Sequence, residues 1–169
     1  MNNRKVLFLS QAAIIACLYV LLTMLSNVFG LASSVVQVRF SEGLCVLALF
    51  SPAAIPGLTI GCLLSNLLTG CALPDIIFGS IATLLGAYGT YLLRKIFNRH
   101  KGLLIIALLP TVISNTLIIP FVLKYAYGLE PLWLFFITIA LGELISCIGI
   151  GSILYFALRK TGYKLWPEN

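Results

Sequence analysis

The sequence predicts an all-α, polytopic membrane protein, a single domain over residues 1–169. Three observations predict it. Hydrophobic residues make up 60% of the chain and charged residues 9%, with a mean hydropathy of +1.07, values that a soluble domain of this size does not reach. Apolar stretches recur along the chain, most near the roughly 20 residues that cross a bilayer as a helix. Of the eleven Lys and Arg residues, nine fall into three groups: Arg4 and Lys5; Arg94, Lys95, Arg99 and Lys101; Arg159, Lys160 and Lys164. Each group abuts an apolar segment, the form that the positive-inside bias takes in a sequence. No linker, low-complexity tract or charge block marks a second domain.

The first crossing is Val6 to Phe29. It is too long for the 7–15 residue apolar core of a signal peptide, so it reads as a true span. The next stretch is short, with Glu42 to Phe50 followed by Ser51-Pro52 and Pro56-Gly57. Parity decides its reading. If the three basic groups share one side, an even number of crossings separates Lys5 from Arg94, whereas Val6–Phe29, Ile55–Leu68 and Ile76–Leu93 make three. The stretch around Val35 to Phe50 is therefore expected to cross as well, as a short or tilted helix. Leu103–Tyr127 and Leu132–Leu158 bring the count to six, with both termini cytoplasmic. Small residues at four-residue spacing (Gly57, Gly61, Ser65, Thr69; Ala82, Gly86, Thr90; Ala12, Ala16) allow helices to approach closely in lipid. Pro110 and Pro120 bracket Asn115 and are expected to bend the fifth span.

One carboxylate sits near the middle of the last span: Glu143, beside Gly142 and Ser146. A central charge costs about 2.5–3.5 kcal/mol on translocon scales, so such residues face a cavity, a ligand or a partner. With the basic groups inside, nearly every other polar group falls in the outer half. Arg39 and Glu42 precede the second crossing, Asn66 ends the third, Asp75 opens the fourth and Asn115 lies near mid-depth. The pattern is that of an electronegative cavity, open to the outside, which favours cationic or donor-rich ligands. Aromatic residues near its mouth, Phe78 and Trp133 among them, are candidates to stack on a flat ring. For Asp75 after Pro74, and for Glu42 after Ser41, helix capping is the competing reading.

Several functions are disfavoured. There is no basic surface with interleaved aromatics for nucleic acid. The five cysteines form no CxxC pair and His100 is the only histidine, so no metal or other cofactor is expected. No GxxxxGK[ST], GxSxG or HExxH pattern occurs, and an enzyme is not expected. A small substrate-binding membrane subunit powered by something else fits these gaps.

Five blocks carry a resemblance: 37-QVRFSEGL-44, 52-PAAIPG-57, 61-GCLLSN-66, 75-DIIFGSIATL-84 and 142-GELIS-146. In this order, over most of the chain, they resemble the QueT family, with Gly43 where that pattern has alanine. The resemblance implies a six-helix S component of an energy-coupling factor (ECF) transporter in the cell membrane. Its cargo would be a queuosine precursor, a 7-deazaguanine base bound near the outer face. Its partners would be a transmembrane T subunit and two cytoplasmic ATPases. Ala12 and Ala16 are similar to the AxxxA motif through which S components meet the T subunit. On that footing Glu143 would accept ligand donors, Asn115 and Asn66 would read donor and acceptor atoms, Arg39 and Glu42 would close the mouth, and Phe78 or Trp133 would stack. The alternative is a small proton-coupled exporter of cationic compounds that uses Glu143. Co-purification with ATPase subunits separates the two.

Overall fold

The computed structural model of the protein describes residues 3–31, 37–99 and 103–160. Val35 and Val36, where the second crossing was expected to begin, lie outside them, as do Lys101 and Lys164. Among the described residues every regular element is a helix, with no strand. The α-helices are α1 (Asn3–Val28), α2 (Ala54–Leu68), α3 (Leu73–Arg99), α4 (Leu104–Tyr127), α5 (Leu132–Glu143) and α6 (Gly151–Lys160). A 3₁₀ segment, Phe40–Leu49, stands between α1 and α2, and a π-helical segment, Leu144–Ile150, joins α5 to α6. Four stretches are long and apolar enough to cross a membrane: Asn3–Val28, Leu73–Arg94, Leu104–Tyr127 and Leu132–Lys160. The last is the expected sixth span, continuous through α5, the π segment and α6.

The stretch that parity assigned to a crossing takes an unusual form. Ten residues of 3₁₀ helix rise about 20 Å, well short of a bilayer core. Its contacts show how far it travels. The Phe40 amide donates to Ser26 Oγ (2.9 Å), Thr23 Oγ1 donates to Ser41 Oγ (2.8 Å), and just past its end Ser51 Oγ donates to Gln11 Oε1 (2.9 Å). From Ser26 to Gln11 along α1 is about 22 Å at 1.5 Å per residue. The segment thus runs antiparallel to α1 through most of its depth. It is buried almost throughout, from Ser41 to Val46 and at Ala48 and Leu49. Irregular backbone at membrane depth is tolerated where protein covers it.

Glycines let the helices meet. A Cβ built on Gly57 would lie 2.8 Å from the Ala12 carbonyl oxygen, and one on Gly61 would lie 2.6 Å from Tyr19 Cβ. Ala12 and Ala16 are themselves buried on this α1–α2 seam. Between α3 and α4, a Cβ on Gly86 would come within 2.7 Å of Thr111 Cα, and one on Gly89 within 2.5 Å of Pro110. Both four-residue stripes therefore serve packing inside the chain.

The bundle has two unlike ends. At one end α1, α2 and α4 finish in glycines with left-handed backbone, Gly30 (φ 68°), Gly70 (φ 71°) and Gly128 (φ 67°). For α1 and α2 these glycines sit in paired terminal bonds, Leu31 N–H to Ser26 O and Cys71 N–H to Asn66 O closing the last turn. Arg94 near the end of α3, and Arg159 and Lys160 at the end of α6, lie at the other end. An apolar core fills that half, with the Tyr155 ring in contact with those of both Phe50 and Phe97.

Candidate functional site

At the glycine end the bundle encloses a cavity of about 340 Å³. Its wall takes Thr23 and Asn27 from α1, Asn66 from α2, Thr69, Gly70 and Cys71 from the turn that follows, Asp75 from α3, and Leu123, Tyr127 and Leu129 around the end of α4. Gln37 and Arg39, on the strap that leads into the 3₁₀ segment, complete it. Deeper lies a chamber of only about 10 Å³, room for one water, lined by Glu42, Gly79, Thr83, Asn115, Ile119, Ile139 and Glu143. Gln37 and Arg39 line both spaces and stand between them.

The local backbone explains the two levels. Because the 3₁₀ segment starts only at Phe40, the chain enters the bundle as an extended strap; Arg39 has φ −105° and ψ 109°. The strap presses on α5 at Gly142, where a Cβ would fall 2.0 Å from the Gln37 carbonyl oxygen. Only glycine allows this crossing, and the next residue is Glu143.

Within the chamber the carboxylates are used differently. Glu42 accepts a hydrogen bond from the Tyr19 hydroxyl and a second, at 3.4 Å, from Asn115 Nδ2. Glu143 is 7% exposed, yet its Oε2 has no hydrogen-bond partner in the protein. Ser146, one turn further along, is buried with its hydroxyl also unpartnered. In the outer cavity Asp75 is 4% exposed. Its Oδ2 accepts from the Tyr127 hydroxyl (3.1 Å), whereas Oδ1 is unpartnered. Asn66 Nδ2 reaches the Asp75 backbone oxygen at 3.4 Å. Lys124 and Glu130 pair with each other at 3.6 Å on the surface, which leaves three acids and one cation, Arg39, among the residues lining the two spaces. The site is electronegative.

Of the residues singled out from sequence, Asn66 and Asp75 line the outer cavity, Glu42, Asn115 and Glu143 line the inner chamber, and Arg39 lines both. Phe78 and Trp133 line neither. Phe78, 48% exposed, borders an apolar groove on the outer surface of α3 and α4, and Trp133 is 65% exposed near the start of α5. The aromatic ring in the cavity wall is that of Tyr127. Tyr19, Thr23 and Asn27 are additions to the residues singled out from sequence. A signal for them exists, since Tyr19, Thr23 and Ser26 or Asn27 repeat at helical spacing on one face of an otherwise apolar helix. Among the described residues no cluster of His, Cys, Asp and Glu has the makings of a metal site.

Residues 9–160 match the QueT transporter family. Over 84 residues the chain is 37% identical to the Queuosine precursor transporter QueT of Lactococcus lactis subsp. cremoris; the match covers 50% of this chain and 49% of that relative. The chain thus spans about half the length of the curated relative it matches. No solved structure matches it. The family match runs from the second turn of α1 to the end of α6 and takes in every residue of both polar spaces, and the chain therefore belongs to the QueT transporter family, whose members are transporters and not enzymes.

Proposed function

We propose that the chain is the membrane-embedded substrate-binding subunit, or S component, of an ATP-driven ECF uptake transporter, and that it binds a queuosine precursor. The observation that carries this reading is the unpartnered, buried Oε2 of Glu143, in a small chamber that shares Gln37 and Arg39 with the larger outer cavity. A buried oxygen left without a donor is destabilising by about 1–3 kcal/mol, more when charged, and a ligand that supplies the donor removes that penalty. A 7-deazaguanine offers adjacent ring N–H and exocyclic amine donors, which one carboxylate accepts together. Asn115 and Asn66 read its remaining polar edge, Arg39 and Gln37 close over it, and Glu42, already holding Tyr19 and Asn115, orients the floor. A volume of about 340 Å³ suits a bicyclic base, being at the small end of ligand sites.

On this reading the glycine end faces the outside and the basic end, with both termini, faces the cytoplasm, following the positive-inside bias. Energy comes from a T subunit and two ATPases, since the chain carries no phosphate-binding loop of its own. Ala12 and Ala16 are covered by α2 in this conformation, so a T subunit that approaches α1 here meets the exposed stripe beside them, Ile14, Leu18 and Leu21.

The test is calorimetric titration of the detergent-purified chain with queuine and with its aminomethyl and nitrile precursors. Binding of at least one is expected, weakened tenfold or more by Glu143→Gln, because a charge-assisted acceptor becomes a neutral amide. No heat with any of them, in protein shown to be folded, contradicts the reading.

A further inference from the structure

Asp75 opens a second question, because the chamber at Glu143 is too small to hold a whole ligand. Asp75 Oδ2 is fixed by Tyr127, and Tyr127 in turn accepts the Ala72 amide at 3.0 Å. The carboxylate is therefore oriented, with Oδ1 buried and unpartnered in the cavity wall. Helix capping leaves this oxygen unexplained. The wall around it is formed by the C-terminal ends of α2 and α4 (Thr69, Gly70, Cys71, Tyr127), and helix C-termini carry partial negative charge.

One turn further along α3 is Gly79. It lines the inner chamber, and a Cβ built on it would lie 3.0 Å from Asn66 Nδ2 and 3.5 Å from Asp75 Oδ1. Gly79 thus lies between the inner chamber that it lines and the Asp75 carboxylate. Asp75, Gly79 and Thr83, spaced four apart on α3, present one face to both levels.

We propose that Asp75 is the specificity-determining residue for the substituent of the ligand: the base lies in the outer cavity with one edge toward Glu143, and Asp75 Oδ1, in the wall of that cavity, accepts a hydrogen bond from a protonated amine on its side arm. This rests on the reading above that the cargo is a 7-deazaguanine, and it selects within that class. Arms that carry an amine are retained, and an arm ending in a nitrile, which has no donor, is disfavoured. Arg39, the one cation lining both spaces, leaves the site short of positive charge by two against three carboxylates, and an ammonium reduces that deficit.

The experiment titrates the purified full chain with 7-aminomethyl-7-deazaguanine, 7-cyano-7-deazaguanine and unsubstituted 7-deazaguanine. The aminomethyl compound is expected to bind about tenfold more tightly than the cyano compound. Asp75→Asn, which keeps an oxygen for Tyr127, is expected to reduce that ratio to about two, with the other two affinities unchanged. Equal binding of all three compounds by the parent overturns this inference and leaves the proposed function standing. A uniform loss across all three in Asp75→Asn, or none at all, also overturns it. Failure of the parent to bind any of them contradicts both.

Discussion

Glu42 and Glu143 occupy the same small chamber, yet only one has an oxygen to spare. Glu42 has its oxygens engaged by Tyr19 and Asn115 and acts as scaffold, whereas Glu143 Oε2 waits for a donor. The two roles are separable by mutation. Tyr19→Phe strands a buried carboxylate oxygen and is expected to lower stability by about 1–3 kcal/mol, read as a reduced thermal midpoint in detergent, with a smaller effect on ligand affinity than Glu143→Gln. The polar members of the site were legible in the sequence because a charge or amide in an apolar run has few other places to go. The aromatic members were not. Phe78 immediately precedes Gly79, and one residue is 100° of turn around a helix; with Gly79 on the inner face, Phe78 points outward. Tyr19 escaped notice for the converse reason, since its ring is at home in an apolar helix and only its bond to Glu42 reveals the hydroxyl's use.

The least regular elements, the 3₁₀ segment and the π segment, pack on each other and carry the two chamber carboxylates at or beside their ends. Their meeting point is Gly43, where a Cβ would lie 2.8 Å from Ile150 Cγ2 and 3.1 Å from the Ser146 carbonyl oxygen. The methyl can yield; the backbone oxygen cannot without moving the segment that follows Glu143. Gly43→Ala is accordingly expected to destabilise by about 1–3 kcal/mol and to weaken ligand binding, read by thermal unfolding and titration of the same preparation. This matters because Gly43 replaces the alanine expected from the family resemblance, so the packing seen here is one this chain has adapted to. Parity assigned a crossing to the stretch that holds the 3₁₀ segment, but said nothing of its form. Its ten residues are short for an α-helical span, and what makes them viable, burial on nearly every side, is a tertiary property. The π segment is equally silent in sequence, because Leu144–Ile150 has the composition of any apolar helix.

At the scale of the whole molecule, the charges are sorted. Among the described residues Arg4 and Lys5 begin α1 and Arg94, Arg159 and Lys160 lie near the ends of α3 and α6, while three of the five acids in the chain line the spaces at the other end together with Arg39. That separation, together with the six-segment count, was readable from composition and parity, since both depend on where residues fall along the chain and not on which face they occupy. It also gives the account its most direct test. Cys71 is half-buried in the wall of the outer cavity, whereas Cys45, Cys62 and Cys147 are buried and Cys17 lies on the apolar first helix. A membrane-impermeant maleimide applied to intact cells is predicted to label the chain at Cys71, to fail with Cys71→Ser, and to react more slowly when a 7-deazaguanine ligand saturates the site. Labelling of Cys71 only from the cytosolic side, or at a rate indifferent to ligand, would contradict an outward-facing cavity that binds its cargo among these acids.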